Sequence, residues 1–101
     1  MWIEVDLHST PPAVTLAEPH DFKAFKVVTD GPPERLAGAV ASFGRLDGDH
    51  VYVDVEALRR LAGARAQDAG WQAGLDAMLG YARDHGWTDQ QGAVRAHVES
   101  R

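Results

Sequence analysis

The chain has 101 residues, 45% of them hydrophobic, a net charge of −5 at pH 7 and no cysteine. This length predicts one domain, residues 1–101, that buries roughly 60–70% of the surface its unfolded chain exposes. The absence of cysteine excludes disulfides and thiolate metal sites, and the acidic balance argues against non-specific nucleic-acid binding. No stretch approaches the ~20 apolar residues that would span a membrane, and the acidic N-terminus does not resemble a secretory signal, so we expect a soluble cytoplasmic protein.

Three strands are predicted in the first thirty residues. Trp2–His8 alternates apolar and polar side chains, which is typical of a half-buried strand. Ala13–Glu18 follows a pair of prolines and is predicted to return beside the first strand. Phe22–Thr29 ends in β-branched residues, which favours a third strand.

A helix and a fourth strand are predicted in the middle of the chain. Pro33 suits the first turn of a helix because its missing N–H is not needed there, and Gly44 is the expected end of that helix. Asp47 and Gly48 predict a tight turn before a strand that begins at His50.

Two further helical patterns occupy the second half. Asp54 is a good N-cap for the first helix, Val55–Ala62. The second, Asp68–His85, has one apolar stripe at helical spacing, formed by Trp71, Leu75, Met78, Leu79 and Ala82. Gly86 fits the left-handed cap that ends this helix.

Glycines interrupt the second helical pattern at Gly70, Gly74 and Gly80. Each costs roughly 1 kcal/mol relative to alanine in a helix interior, so we expect tertiary packing to hold this helix and a neighbouring segment to approach it closely. His85 lies where a cation favours the helix dipole, and Trp87 is expected to fold back over the last turn.

A closing strand is predicted from the alternation within Gly92–Glu99. The fold class is therefore α+β, a small mixed sheet with three helices in the order β-β-β-α-β-α-α-β. From Pro33 to Val98 this order resembles a winged helix-turn-helix domain, a family in which the second of the paired helices enters the major groove of DNA. That helix carries three aspartates and only Arg83 as a basic residue, so a protein-contact role is favoured over DNA reading.

No catalytic or metal motif is present in the sequence. The five histidines have no short spacing, and we expect them to be independent surface residues: His8, His20, His50, His85 and His97. His50 and His97 lie on two predicted strands and are the one pair that a sheet would bring together. No nucleophile elbow or phosphate loop occurs, so the sequence favours a protein without catalytic activity, metal or cofactor.

The aromatic residues suggest a contact surface. Trp71 and Trp87 are expected to be core residues because aromatic side chains at helical spacing usually pack inward. Tyr81 borders the apolar stripe of its helix, and tyrosine is enriched at protein interfaces. Tyr81 is therefore a candidate partner-binding residue.

The leading hypothesis is a small interaction module that associates with itself or with another protein. It rests on the terminal strands, Trp2–His8 and Ala93–Glu99, which are expected to be open sheet edges.

Two alternatives belong to other classes. One is a winged-helix-like, transcription-related nucleic-acid-binding domain with a basic face made of Arg59, Arg60, Arg65 and Arg95. The other is a small-molecule-binding protein or enzyme that uses Tyr52, Arg95 and His97 over an exposed sheet face.

Overall fold

A computed structural model describes all of residues 1–101 and has a six-stranded mixed sheet with three helices, which confirms the predicted α+β class. The strands are β1 Trp2–Asp6, β2 Ala13–Ala17, β3 Lys26–Asp30, β4 Gly44–Asp47, β5 His50–Val53 and β6 Val94–Ser100. The helices are α1 Leu36–Val40, α2 Val55–Ala62 and α3 Ala69–Asp84, with short 3₁₀ turns at Pro33–Arg35 and Gly63–Gln67. None of the helices combines the length and the apolar character that crossing a membrane requires.

The strand β4 is the one element that the sequence does not predict. It pairs with β5 as a hairpin across the predicted tight turn, where Gly48 has a φ of 61°. The expectation that Gly44 ends the preceding helix is wrong, because α1 ends at Val40 with Ala41 as its C-cap. Gly44 instead begins β4, where a Cβ atom would lie 2.2 Å from the carbonyl oxygen of Tyr52, so glycine permits the close pairing of the two strands.

The sheet has the order β2-β1-β3-β6-β5-β4, in which β3 is parallel to both β1 and β6 and the other pairs are antiparallel. The terminal strands β1 and β6 are therefore interior, and the edges are β2 and β4. The expectation that Trp2–His8 and Ala93–Glu99 form open edges is wrong. Alternation reports which face of a strand is buried, and an interior strand with one solvated face alternates in the same way as an edge strand.

The core lies between one face of the sheet and the helices. Its largest fully buried members are Trp71, Met1, Ile3, Leu7, Leu58, Leu75, Val5, Val27, Val40, Val51 and Val53. The opposite face of the sheet is not covered by a helix, and its side chains alternate with the buried ones, as His50 and Tyr52 do beside Val51 and Val53. This open face carries the polar residues of β5 and β6.

Both long helices begin at an aspartate N-cap, of which Asp54 is the predicted one. The Asp54 carboxylate accepts a hydrogen bond from the N–H of Glu56 at 3.1 Å, and the Asp68 carboxylate accepts one from the N–H of Trp71 at 2.8 Å. α2 has the predicted bounds. α3 is one residue shorter at each end, because Asp68 and His85 are its capping residues.

The end of α3 turns the chain back over the helix. Gly86 has a φ of 74°, the N–H of Trp87 donates to the carbonyl of Ala82 at 2.9 Å, and the N–H of Gly86 donates to that of Arg83 at 3.1 Å. This is the expected left-handed cap with two satisfied carbonyls. Trp71 is a core residue at 1% exposure, but Trp87 is 37% exposed, so its predicted place in the core is wrong. The turn places the Trp87 indole over the C-terminal end of α3, where no other element of the fold covers it.

Candidate functional site

An apolar cleft of about 720 Å³ opens between α3, residues 22–25 and the start of β6. Nine of its twelve lining residues are hydrophobic. The contribution of α3 is one face that runs from its middle to its end, made of Gly74, Ala77, Met78, Tyr81 and Ala82. Phe22 and Phe25 form the facing wall, and Trp87 closes one side.

Close contact between α3 and Phe22 shapes the floor of the cleft. A Cβ atom at Gly74 would lie 2.4 Å from Cε2 of Phe22, so only glycine lets the ring rest against the helix. The Phe22 ring centroid lies 6.2 Å from that of Trp71, which ties the cleft wall to the core. The predicted close approach at a helix glycine is confirmed at Gly74. A Cβ atom placed at Gly80 would lie 3.6 Å from its nearest neighbour, Nη2 of Arg83, which is an ordinary van der Waals contact.

Three aromatic rings cluster beside the rim of the cleft. The rings of Tyr81 and His85 stack with centroids 4.0 Å apart, and those of His85 and Trp87 lie 4.8 Å apart. His85 Nδ1 is 2.8 Å from the Tyr81 carbonyl oxygen, which orients the imidazole at the helix C-terminus. Tyr81 is 59% exposed and Trp87 37%, and they are the two large hydrophobic side chains that the fold leaves exposed. Exposed apolar surface of this kind marks binding sites.

Backbone and side-chain hydrogen bonds hold Trp87 and the loop after it. The N–H of Arg95 donates to the Trp87 carbonyl at 2.8 Å. The Asp89 Oδ1 atom accepts from the N–H groups of Gln91 and Ala93, both at 2.9 Å. The wall that Trp87 contributes is therefore fixed to β6 at one end and to a closed loop at the other.

In its ionised form, the Asp89 carboxylate helps to hold this loop. Burial acts to raise its pKa, but the N–H groups of Ala93 and Gln91 and the Arg45 guanidinium together hold the pKa below its ordinary value of 3.8. Arg45 Nη2 lies 3.5 Å from Asp89 Oδ2. The carboxylate is thus the ionised acceptor at neutral pH.

The candidate residues on the sheet, Tyr52, Arg95 and His97, all lie on its open face. β5 and β6 adjoin, and Tyr52 stands directly opposite Arg95 in the pairing register. Arg45, on the other side of Tyr52, places its guanidinium 4.6 Å from the ring centroid. Arg95 is also one of the lining residues of the aromatic cleft.

The two strand histidines meet as neighbours. His50 and His97 are cross-strand partners, with ring centroids 5.6 Å apart, and His50 Nδ1 is 2.8 Å from the Asp49 carboxylate. The expectation that all five histidines are independent is therefore wrong for this pair. No group of three or more potential ligands is placed to hold a metal ion.

Of the four arginines proposed for nucleic-acid binding, Arg95 lines a different site from Arg59 and Arg60. Arg59 and Arg60 line a shallow polar depression, and Arg59 Nε lies 3.6 Å from the Glu56 carboxylate. Arg65 lies in the 3₁₀ turn after α2, whereas Arg95 lines the aromatic cleft. The resemblance to winged-helix domains and its DNA role stay predictions.

Sequence reasoning missed Phe22 and Phe25 as site residues. Both fall in the predicted strand Phe22–Thr29, but the observed strand begins at Lys26 and leaves them in the preceding loop. The β-branched residues of this segment do form the predicted strand, whereas the two phenylalanines before them line the cleft beside α3. The one sequence signal that points to their partner is Gly74, the glycine inside a helix.

The cleft joins an apolar lining and an aromatic rim with two cations, Lys23 and Arg95, which are its only charged lining residues. No acidic side chain lines it, although the chain has 15 acidic residues and 10 basic ones. Comparison with protein-family models, with curated proteins and with solved structures finds no match to this chain.

Proposed function

We propose that this chain is a small binding module, without catalytic chemistry of its own, that takes a small apolar molecule into the aromatic cleft. One observation carries the proposal: the two exposed large hydrophobic side chains, Tyr81 and Trp87, line the same concave site. Covering apolar surface is favourable by roughly 25 cal/mol per Å², so a ligand that shields these rings gains binding free energy there.

The size and shape of the cleft support a small molecule rather than a protein strand. Its volume of about 720 Å³ falls within the roughly 300–1,000 Å³ of ligand pockets, and such pockets are mostly apolar with few polar groups.

The exposure of Tyr81 favours a second candidate function, self-association. In that arrangement the Tyr81 side chain of a second copy occupies the cleft. Pairing through the terminal strands no longer supports self-association, because β1 and β6 already have neighbours on both sides. The cleft is therefore the common element of both candidates.

The test is an NMR titration of the protein with 1-octanol, a neutral apolar probe. We expect shifts at the Trp87 indole and in the second half of α3. Replacing Tyr81 by alanine should raise the Kd by about three- to tenfold, the loss of one aromatic contact. The matched control, Tyr52→Ala, removes a tyrosine outside the cleft and should leave the Kd unchanged.

A blocking variant and a measurement of mass complete the experiment. Ala77 is an exposed helical residue of the cleft, so Ala77→Trp should fold normally and abolish octanol binding. Octanol binding that survives this variant, or shifts confined to another surface, would refute the proposal. Sedimentation should show a monomer. A dimer that Tyr81→Ala dissociates would replace the first candidate by the second.

A further inference from the structure

We infer that the natural ligand of the cleft is an amphipathic carboxylate, with an aliphatic or aromatic body inside and the carboxylate at the rim between Lys23 and Arg95. This inference rests on the proposed function and adds the chemical class of the ligand. The juxtaposition of two cations with an apolar cavity is the observation behind it.

Charge complementarity is the first argument. The chain is acidic overall, yet both charged residues of the cleft are basic. Neither the Lys23 ammonium nor the Arg95 guanidinium takes part in an ion pair of the fold, and among the basic residues without an ion pair these are the two that line the cleft. Two cations without partners beside an apolar cavity are suited to an apolar molecule that carries a negative group.

The second argument is that the main chain is held where both cations begin. The N–H of Arg95 donates to the Trp87 carbonyl at 2.8 Å, and the N–H of Lys23 donates to Asp21 Oδ1 at 3.1 Å. Asp21 is the acidic neighbour of Lys23, and its other oxygen lies 3.6 Å from the Met1 amino group. The Lys23 N–H and the charges of the N-terminus and of Lys23 all help to lower the pKa of Asp21, but Lys23 forms no ion pair with it, so the ammonium can still turn to a ligand.

The helix dipole bears on the charge of the head group. A guanidinium forms two parallel hydrogen bonds with a carboxylate or a phosphate, and an ammonium adds a point charge, so these donors accept either anion. The cleft lies along the second half of α3, where the helix dipole is negative and opposes any anion, whereas phosphate groups are commonly held by helix N-termini. This opposition is larger for a doubly charged head than for a carboxylate, so the carboxylate is the better fit.

The test compares octanoate with 1-octanol, which share an apolar chain and differ in charge. At neutral pH and low salt, octanoate should bind the unmodified protein more tightly, and added salt should weaken octanoate alone. Arg95→Gln should raise the octanoate Kd by about three- to fivefold, the range of an exposed ion pair, and leave the octanol Kd unchanged. Lys23→Gln should act in the same direction, and the double variant should bind the two probes equally.

The control variant is Arg60→Gln, which lowers the net charge equally from outside the cleft. It should leave the octanoate Kd unchanged. Equal affinity of the unmodified protein for the two probes, or equal effects of Arg60→Gln and Arg95→Gln, would overturn the carboxylate assignment while octanol binding upholds the proposed function. Failure of both probes to shift cleft residues would overturn both.

Discussion

The two halves of α3 use one apolar stripe for different purposes. In the first half, Trp71 and Leu75 are buried, and the Trp71 Nε1–H donates to the Pro19 carbonyl at 2.8 Å. In the second half, Met78 is half-buried and Tyr81 is 59% exposed. The helical periodicity is continuous and Ala82 is still buried at 3%, but the large side chains Met78 and Tyr81 of the second half are not fully buried.

This difference teaches that an amphipathic helix can serve folding at one end and recognition at the other. The buried half gains stability because its side chains leave water completely. The exposed half is held in place by the same backbone and by the turn at Gly86, so its apolar surface remains available to a ligand. Substitutions in the first half should therefore mainly lower stability, and substitutions in the second half should mainly weaken binding.

The largest expected effect is a difference in unfolding free energy between a variant of the first half and a variant of the second. Leu75→Ala should lower the free energy of unfolding by about 2–5 kcal/mol, because it leaves a cavity beside Trp71. Tyr81→Ala should lower it by less than about 1 kcal/mol, the value of a ring contact at the surface. Urea unfolding of both variants measures the contrast, and equal losses would mean that the second half also belongs to the core.

Two glycine variants sharpen the comparison at the boundary. Gly74→Ala should destabilise the protein by about 1–3 kcal/mol and weaken octanol binding, because the new methyl group displaces the Phe22 ring. Gly80→Ala meets only an ordinary contact and should stabilise the helix by up to about 1 kcal/mol. Thermal unfolding reports both signs, and a stabilised Gly74→Ala protein would contradict the close packing described for Phe22.

The sequence predicts the two halves of α3 with different success. Periodicity and capping residues locate the helix from Asp68 to His85, and they predict Trp71 as core, because these signals are local. Phe22 and Arg95 meet α3 only through the sheet order, which no local pattern encodes. The sequence does place Tyr81 at the border of the stripe, because the angular position of a residue on a helix is a local property.

The smallest expected effect is the response of the Trp87 loop to acid. Because the pKa of Asp89 in the folded protein is below its ordinary 3.8, its carboxylate contributes stability fully at pH values above 3.8. That contribution is lost as the pH falls through the lower folded-state pKa. Asp89→Asn should therefore be less stable than the unmodified protein at pH 6, and the gap should close below about pH 3.8. Denaturant unfolding of both proteins at each pH measures the gap, and a constant gap would show that the charge is irrelevant.

The position of β6 has a consequence for the order in which the molecule is assembled. This last strand lies between β3 and β5, and it alone joins the β2-β1-β3 block to the β4-β5 hairpin. Its pairing brings together Thr29 and Ser100, which are 71 residues apart. The facing edges of β3 and β5 therefore stay unpaired until β6 inserts between them, and β6 closes both at once. The same strand carries Arg95, so the lining of the cleft is completed in the step that completes the sheet.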